Sequence, residues 1–314
     1  MGSHAQHTID ADVVPGFTAV YLRVAGDECA FIEAHTNHAL PRLLAALHAV
    51  GRRPEQVRYV VVTHAHLDHA AGASALLTAC PNATLLAHPR AAKHLVDPSK
   101  LVAGAKAVYG EARFSSLYGA IAPIDAARVR ELDDEATFTL GDATLRVLHT
   151  AGHANHHFVV HDPALDTVYT GDTFGLVYPA LQRRGRFALP STSPSNFDPV
   201  EARKSLDRVL GLRTKTACPT HFGAVDGLDE IAAQLREWLD RAERWLDEAM
   251  AGSESFAQIS SRLTRAWTDA IAAESARRGL GFDDAAMQLL ALDAELNAQG
   301  IAAVVDYRRK KARG

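Results

Sequence analysis

The stretch THAHLDHAAG, residues 63–72, places three histidines and one aspartate within six residues. It continues directly from RYVVVT at 58–63, a β-branched run that predicts a buried strand. GASALLTAC at 72–80 follows and predicts a helix that ends before Pro81. Because neutral imidazole is the commonest protein ligand for zinc and also suits iron, the cluster predicts a metal site at the end of a strand.

Further metal-ligand candidates follow other predicted strands. Three motifs each offer one: TAGHANHH at 150–157 (His153), YTGDTFG at 169–175 (Asp172) and CPTHFGA at 218–224 (His221). Loops at strand ends bring side chains to one rim of a sheet. One isolated histidine is ordinarily a surface or capping residue, but seven suitable groups in four such motifs predict a shared site. One metal could hardly use all four groups of the first motif with good geometry, whereas two adjacent metals could.

The remaining sequence alternates strand and helix patterns up to about residue 225. Further strands are predicted at 17–24, 28–33, 83–88, 136–140, 143–150, 156–162, 166–172 and 215–221, helices at 40–51, 90–119 and 199–212, and a loop at 174–199. After residue 226 the patterns are helical, at 228–250, 255–277 and 283–306. We therefore predict a catalytic domain at 12–225 and a helical subdomain at 226–314. We expect the helical tail either to pack on the main domain, or to form a homodimer contact, or to form one wall of a substrate groove.

Bulk composition excludes several classes of protein. The 314 residues are 47% hydrophobic, which is enough for one large domain and a smaller unit. A net charge of −4 argues against nucleic-acid binding, and no apolar run is long enough to predict a membrane span. Three scattered cysteines form no disulfide framework, so a cytoplasmic setting is expected. The expected partner is a small-molecule substrate. MGSH at 1–4 is typical of an expression remnant, and His4 and His7 are therefore left out of the site.

The ordered motifs THAHLDH, GH, GD and TH resemble those of the metallo-β-lactamase-fold hydrolase superfamily, whose HxHxDH signature the first motif matches. The resemblance covers about residues 12–225. It implies an α/β fold, a four-layer αββα sandwich, with two divalent metals at one rim. The implied ligands are His64, His66 and His153 for the first metal, Asp68, His69 and His221 for the second, and Asp172 as the bridge.

Two departures from the family pattern narrow the resemblance. Glu33 stands where the superfamily often has aspartate, and we interpret it as a supporting or structural residue. The third motif reads GHANHH, whereas glyoxalase II and the acyl-homoserine lactonases read GHTxGH. In this respect, and in its helical extension, the chain resembles the thioesterases of alkylquinolone signal synthesis. A glyoxalase II-like or alkylquinolone-pathway thioesterase-like branch is therefore expected.

The expected chemistry is hydrolysis. Two metals ~3.5–4 Å apart can lower the pKa of a bridging water, and the resulting hydroxide attacks a carbonyl that one metal polarises. A thiol has a pKa of roughly 8.5, so a thiolate leaves with little help, whereas an amide nitrogen must be protonated. This favours an acyl-CoA or glutathione thioester over a β-lactam. Asp68 and Asp172 are the expected catalytic carboxylates.

Substrate contacts and the metal are less well defined by the sequence. Tyr109 and Tyr118 either line the pocket or pack in the core, and His156 either orients a neighbouring ligand or begins a strand. Histidine and carboxylate ligands suit zinc, iron or manganese, with zinc the first choice. A lactonase or a phosphodiesterase would use the same site. Two hypotheses lie outside hydrolysis: a diiron protein that binds oxygen or nitric oxide, against which His66 argues, and a partner-binding protein with a vestigial site.

Overall fold

The computed structural model describes residues 3–12, 14–192 and 197–313. The chain divides into two compact units that interleave in sequence. The first unit comprises Met1–His149, His156–Gly171 and Leu212–Asp226; the second comprises Thr150–Asn155, Asp172–Gly211 and Gly227–Gly314. The second unit therefore groups the helical tail with two earlier segments. The division into domains at 12–225 and 226–314 stays a prediction.

Six strands form one mixed sheet in the order β1-β2-β3-β4-β5-β6. They are β1 His4–Asp10, β2 Ala19–Ala25, β3 Glu28–Ile32, β4 Val57–Val61, β5 Thr84–Ala87 and β6 Val129–Glu131. The first three strands pair antiparallel, and β3 to β6 pair parallel. The buried strand predicted at 58–63 is thus confirmed as β4, with a parallel neighbour on each side. Consequently the histidine motif leaves the carboxyl edge of this sheet.

Five strands form a second sheet in the order β11-β10-β9-β8-β7. They are β7 Thr137–Leu140, β8 Ala143–His149, β9 Phe158–Asp162, β10 Thr167–Leu176 and β11 Thr216–His221. β7 to β10 pair antiparallel. β10 runs past Asp172 to Leu176, so it occupies the beginning of the segment 174–199 that was predicted as a loop.

Eleven α-helices lie within the described residues. Six precede the second sheet: α1 Leu40–Ala49, α2 Leu67–Ala70, α3 Ala73–Ala79, α4 Pro89–Val96, α5 Ser99–Tyr109 and α6 Glu111–Tyr118. Five lie in the second unit: α7 Pro199–Gly211, α8 Leu228–Ala251, α9 Phe256–Arg277, α10 Asp284–Leu289 and α11 Ala291–Arg313. The helix predicted at 283–306 is divided after Leu289 and continues to 313. Among the described residues, no helix combines the length and apolarity that a bilayer crossing requires.

Strand β2 shows how the first unit builds its core. Every residue of this strand is buried, and successive side chains point to opposite faces of the sheet. Val20 and Leu22 join a core with α1, α3 and α4, whereas Ala19 and Tyr21 join a core with strands of the second sheet. The first sheet is therefore covered on both faces, as expected for a sheet with parallel strands.

A buried charge also joins the two sheets of the first unit. Arg23, on β2, lies among apolar side chains and forms an ion pair with Asp162 at the end of β9, with both side chains fully buried. A buried arginine is tolerated only where such partners satisfy it. The pair therefore fixes how β2 and β9 face each other.

The helices of the second unit form their own core. Trp238 of α8 stacks on Trp267 of α9, with ring centroids 5.4 Å apart. Trp245, about two turns further along α8, makes an edge contact with the same ring at a centroid distance of 5.0 Å. The helix predicted at 228–250 is thereby confirmed, and its buried apolar side chains form a packing surface. α11 packs against both α8 and α9 and completes this bundle.

Candidate metal centre

The histidine motif turns from strand to helix within a few residues. After β4 the chain passes through His64, and His66 has extended backbone angles (φ −65°, ψ 146°) immediately before α2. The short α2 then carries Asp68 and His69 on its first turn. The rings of His64 and His66 lie 4.5 Å apart at their centroids, and those of His64 and His69 lie 4.0 Å apart. The turn therefore gathers the motif's imidazoles into one cluster.

One group of potential ligands in the first unit consists of Asp68, His69 and His221, whose ligand atoms all lie within 4.8 Å of one another. The Oδ2 atom of Asp68 is 3.5 Å from the Nε2 atom of His69 and 3.5 Å from that of His221. Two ligands ~2.1 Å from a tetrahedral zinc ion lie roughly 3.4 Å apart. These three residues, from α2 and the end of β11, therefore have the spacing of a metal site.

The second unit holds a matching pair. The Nε2 atom of His153 is 3.5 Å from the Oδ2 atom of Asp172, and both side chains are buried. His153 lies in the turn after β8, and Asp172 lies within β10. This separation again suits two ligands of one cation better than a direct hydrogen bond, which would be shorter.

Backbone carbonyls fix the rings of two of these histidines. The Nδ1 atom of His153 is 3.0 Å from the carbonyl oxygen of Ser191, and that of His221 is 3.0 Å from the carbonyl oxygen of Phe17. A carbonyl only accepts, so each Nδ1 must carry the proton and donate it. The neutral ring then presents a bare lone pair at Nε2, which is the atom that faces the aspartate in each group.

Side chains anchor the rings of two further predicted ligands, His69 and His64, in the same way. His69 donates from Nδ1 to the Oε1 atom of Glu33 at 3.1 Å. Thr63 donates its hydroxyl to the same oxygen at 2.5 Å, so His64 donates from Nδ1 to the Thr63 hydroxyl at 3.0 Å. Four of the predicted ligands thus share one arrangement, with Nδ1 anchored and Nε2 available. This donor chemistry fits a metal centre.

Glu33 accepts hydrogen bonds from several of the residues that position the predicted ligands of the first unit. It is buried at the end of β3, with φ at 72°, and it also accepts from the Thr63 amide at 3.3 Å and the Thr220 hydroxyl at 3.2 Å. Thr63 and Thr220 directly precede His64 and His221 in sequence. One carboxylate therefore holds the residues that precede two predicted ligands, as well as the ring of His69. These contacts agree with the supporting role expected for Glu33.

Two glycines explain the GH and GD motifs. A Cβ atom on Gly152, at φ 125°, would lie 2.3 Å from the backbone nitrogen of Ala202. One on Gly171, at φ 50°, would lie 2.5 Å from Nε2 of His157 and 2.5 Å from the hydroxyl of Thr63. No side chain fits at either position. The residues just before His153 and Asp172 must therefore be glycine for those ligands to keep their places.

The predicted substrate-binding residues occupy the first unit. Tyr109 and Tyr118 lie on α5 and α6 with ring centroids 6.2 Å apart. Burial, followed by the nearby charge of Asp68, raises the pKa of the Tyr118 hydroxyl well above its ordinary value, so the phenol stays neutral. His156 accepts at Nδ1 from the amide of Ala65, at 3.4 Å. His156 thus steadies the backbone between two predicted ligands, and substrate binding by these three residues stays a prediction.

Three anchors were not identified from the sequence. Phe17 and Ser191 act through their carbonyl oxygens, which carry no residue-specific signal. His35, at φ 51°, donates from Nδ1 to the carbonyl oxygen of Asp68 at 2.9 Å, and its Nε2 atom is 3.5 Å from Asp12. The proximity of His35 to the motif follows from tertiary folding. No periodicity of the chain indicated it.

A small cavity in the second unit adjoins His153 and Asp172. Its volume is ≈ 20 Å³, which is room for about one water-sized group. Most of the wall is apolar, and the lining residues are Ala151, His153, Asp172, Thr173, Pro190, Ser191, Phe197, Ala202, Ser205, Leu206, Leu235 and Leu239.

The comparisons with known proteins identify the family. The model of the metallo-beta-lactamase superfamily matches residues 13–221, about two thirds of the chain. The chain therefore belongs to the metallo-β-lactamase superfamily. The metallo-beta-lactamase fold-containing protein ST1585 of Sulfurisphaera tokodaii is 29% identical over 202 residues, which are 63% of this chain and 72% of that protein. The predicted α/β fold class, with two sheets, flanking helices and a C-terminal helical extension, is confirmed.

Solved structures extend the likeness into the tail. An archaeal superfamily protein, ST1585 from Sulfolobus tokodaii, matches with a TM-score of 0.65 and 24% identity over 95% of this chain and 98% of that one. TTHA1429 from Thermus thermophilus matches with a TM-score of 0.65 and 16% identity over 98% and 94%. The metallo-β-lactamase SMB-1 matches with a TM-score of 0.52 and 20% identity over 75% and 92%. The first two matches therefore include most of the helical tail.

Family and ligand groups together indicate a metal-dependent hydrolase. The branch of the superfamily, the substrate, and the number and kind of metals are finer questions, which we address as proposals.

Proposed function

We propose that this protein is a dinuclear metal-dependent hydrolase that acts on a thioester. The supporting observation is the shared tautomer of four ligand histidines, each anchored at Nδ1 and open at Nε2. The ligand sets follow the resemblance: His64, His66 and His153 for one metal, Asp68, His69 and His221 for the other, and Asp172 for both. Two divalent ions, with zinc the first choice, would lower the pKa of a water molecule and polarise a carbonyl group.

The residues of the chain prepare this chemistry by holding the ligand atoms in place. The carboxylate of Glu33 accepts the Nδ1 proton of His69 and so increases the basicity of Nε2. Asp68 is 44% exposed at its side chain, whereas His69 is fully buried and His221 is 8% exposed. Substrate therefore reaches this group from the side of Asp68. Asp172 lies buried beside His153.

Leaving-group chemistry supports a thioester. A thiolate departs without protonation by an acid, because the pKa of a thiol is roughly 8.5. The mostly apolar wall of the cavity beside His153 and Asp172 also favours an aliphatic acyl group over a phosphodiester or the polar glutathione moiety. Its volume, about that of one water molecule, admits only the terminal methyl group of a short acyl chain. The expected substrate is accordingly a short-chain acyl thioester such as an acyl-CoA.

The test is the initial rate of thiol release from a panel of acyl-CoA and glutathione thioesters, with enzyme loaded separately with zinc, manganese or iron. Asp172→Ala removes one predicted ligand and should lower metal-dependent turnover at least ~100-fold, since even outer contacts of a metal ligand cost 10–100-fold. The same variant retains all three cysteines and serves as the blank for thiol detection.

A second pair of variants tests the acyl cavity. Leu239→Ala enlarges the cavity, so the preferred acyl chain should lengthen by about two carbons. Leu246→Ala is the matched control, because Leu246 is also buried on α8 but does not line the cavity. Thiol release with no metal would refute the metal mechanism. If no thioester is hydrolysed but a lactone or a phosphodiester is, that class replaces thioesters as the substrate. Absorption bands of an oxo-bridged ferric pair would favour the diiron hypothesis.

A further inference from the structure

One helix of the tail grips the segment 190–192 of the second unit. Asn297, on α11 and 2% exposed, accepts at Oδ1 from the amide of Thr192 at 2.6 Å and from its hydroxyl at 3.1 Å. The Thr192 hydroxyl also lies 3.0 Å from the carbonyl oxygen of Asn297, and the side-chain amide of Asn297 donates to the carbonyl oxygen of Pro190 at 2.9 Å. Both ends of the carboxamide are thus used on the two residues that flank Ser191.

Ser191 is the residue between these two attachment points. Its carbonyl oxygen accepts the Nδ1 proton of His153 at 3.0 Å. The position of that oxygen sets the plane of the imidazole and hence the direction of Nε2, which lies 3.5 Å from Asp172. Asn297 is therefore linked to the ring of His153 by its hydrogen bonds to Pro190 and Thr192 and by the carbonyl oxygen of Ser191, which lies between them in the chain.

The same face of α11 makes a second polar contact. Asp293, one turn before Asn297, accepts from the hydroxyl of Tyr178 at 3.2 Å, and both side chains are buried. Tyr178 lies two residues after β10, the strand that carries Asp172. Buried polar groups on an otherwise apolar helix face are costly unless they are satisfied. The two polar side chains of this face, Asp293 and Asn297, are therefore bonded to segments near Asp172 and His153, the two predicted ligands of the second unit.

We propose that Asn297 is a positioning residue of the metal centre, which acts on His153 through Pro190, Ser191 and Thr192. This inference rests on the proposed function, because it takes His153 as a metal ligand. It gives the helical tail a role that exceeds packing. The tail supplies the outer contact that orients one ligand, in the way that outer partners of metal-bound histidines generally do.

The test measures metal affinity, which needs no substrate. Zinc is titrated into the full chain against a chromophoric chelator, and the visible spectrum of the cobalt(II) form reports the ligand geometry. Asn297→Ala should weaken one of the two zinc sites ~10–100-fold and alter the cobalt spectrum. Asn297→Asp keeps the Oδ1 acceptor for Thr192 and should recover a large part of the affinity, and it remains informative if Asn297→Ala fails to fold.

Gln234→Ala is the matched control. Gln234, on α8, is buried and bonds the same stretch of chain a few residues earlier, to the amide of Ala188 and the carbonyl oxygen of Arg186, both at 3.0 Å. Its loss should lower the melting temperature about as much as the loss of Asn297, while zinc affinity stays within about threefold of the native value.

The outcomes separate the two proposals. Equal loss of zinc affinity in Asn297→Ala and Gln234→Ala, or native affinity in a folded Asn297→Ala, would overturn the positioning role and leave the metal centre intact. Absence of zinc binding in the native chain would overturn the metal centre itself. Absence of thioester turnover, with zinc affinity lost in Asn297→Ala but kept in Gln234→Ala, would reject the substrate class and retain the positioning role.

Discussion

The two units support their predicted ligand histidines by different means. In the first unit, the anchor of His69 is Glu33, a buried side chain at the end of β3 that also holds the threonines before His64 and His221. In the second unit, the anchor of His153 is a carbonyl oxygen on the irregular segment 190–192, which a side chain of α11 holds. One support is built into a sheet edge, and the other depends on a helix distant in sequence.

The difference teaches where such a site tolerates change. Strand ends are fixed by ladders of backbone hydrogen bonds, so a carboxylate placed there serves several ligands at once. An irregular segment has no ladder, and its geometry depends on a few side-chain bonds. A substitution of Glu33 should therefore disturb several predicted ligands at once and lower stability. A substitution that disturbs the segment 190–192 should reduce metal affinity more than stability.

The largest effect is expected from Glu33→Ala. It leaves the buried Thr63 amide and the Nδ1 proton of His69 without their acceptor, so the free energy of unfolding of metal-free protein should fall by about 3 kcal/mol in urea titrations. Glu33→Gln retains an acceptor oxygen and the same backbone and should lose about 1 kcal/mol. Equal losses would mean that charge, and not hydrogen bonding, holds this group together.

A smaller effect is expected from Gly152→Ala in the second unit. The added Cβ would overlap the backbone of Ala202, so we expect a loss of about 2 kcal/mol in thermal unfolding, together with weaker zinc binding because His153 is displaced. Gly104→Ala is the control: Gly104 lies within α5, a Cβ there meets nothing within 4 Å, and alanine should stabilise by about 0.5–1 kcal/mol. Native zinc affinity in Gly152→Ala would show that the GH motif does not place the ligand.

The smallest effect at neutral pH is expected from His88→Asn. His88, buried at the N-terminus of α4, accepts at Nδ1 from the amide of Arg90, at 3.0 Å, in contrast to the four anchored histidines of the candidate metal centre, which donate from Nδ1. Burial, and then the neighbouring His149, lowers the pKa of His88 from 6.5 to about 4. The unfolded chain therefore binds more protons between these values, and stability is complete above pH 6.5 and falls as the pH drops towards 4.

Asparagine keeps the helix cap but does not titrate. Urea unfolding of His88→Asn should therefore match the native protein at pH 7 and depend less on pH between 6.5 and 4. An unchanged pH dependence would assign the acid loss of stability to other groups. The lowered pKa of His88 would then contribute nothing measurable to it.

The sequence predicted the elements whose signal is local. β4 and the helix at 40–51 follow from β-branched runs and apolar periodicity, and both were confirmed. β1 was missed, because the histidines at its start were set aside as part of a remnant, although the strand pairs with β2 over seven residues. The extension of β10 to Leu176 was missed as well, since the segment 174–199, rich in proline, serine and arginine, was predicted as a loop from its first residue.

The candidate site divides in the same way. The ligand types and their strand-end positions could be read from the motifs, because HxHxDH, GH, GD and TH are local. Apart from Glu33, the residues that anchor them could not be, since Phe17 and Ser191 contribute only carbonyl oxygens and Asn297 lies 105 residues from Thr192. A buried asparagine within a helical stripe is visible only once the helices are packed.

The grip of α11 on residues 190–192 also sets an order of events during synthesis. His153 and Thr192 leave the ribosome before Asn297, and at 5–20 residues per second the 105 residues between Thr192 and Asn297 take roughly 5–20 s. Before that interval ends, Glu33, His69 and His221 have all been synthesised, whereas His153 still lacks the support that depends on Asn297. On the proposal that His153 is a metal ligand, we expect the second unit to bind metal tightly only after the tail has been translated.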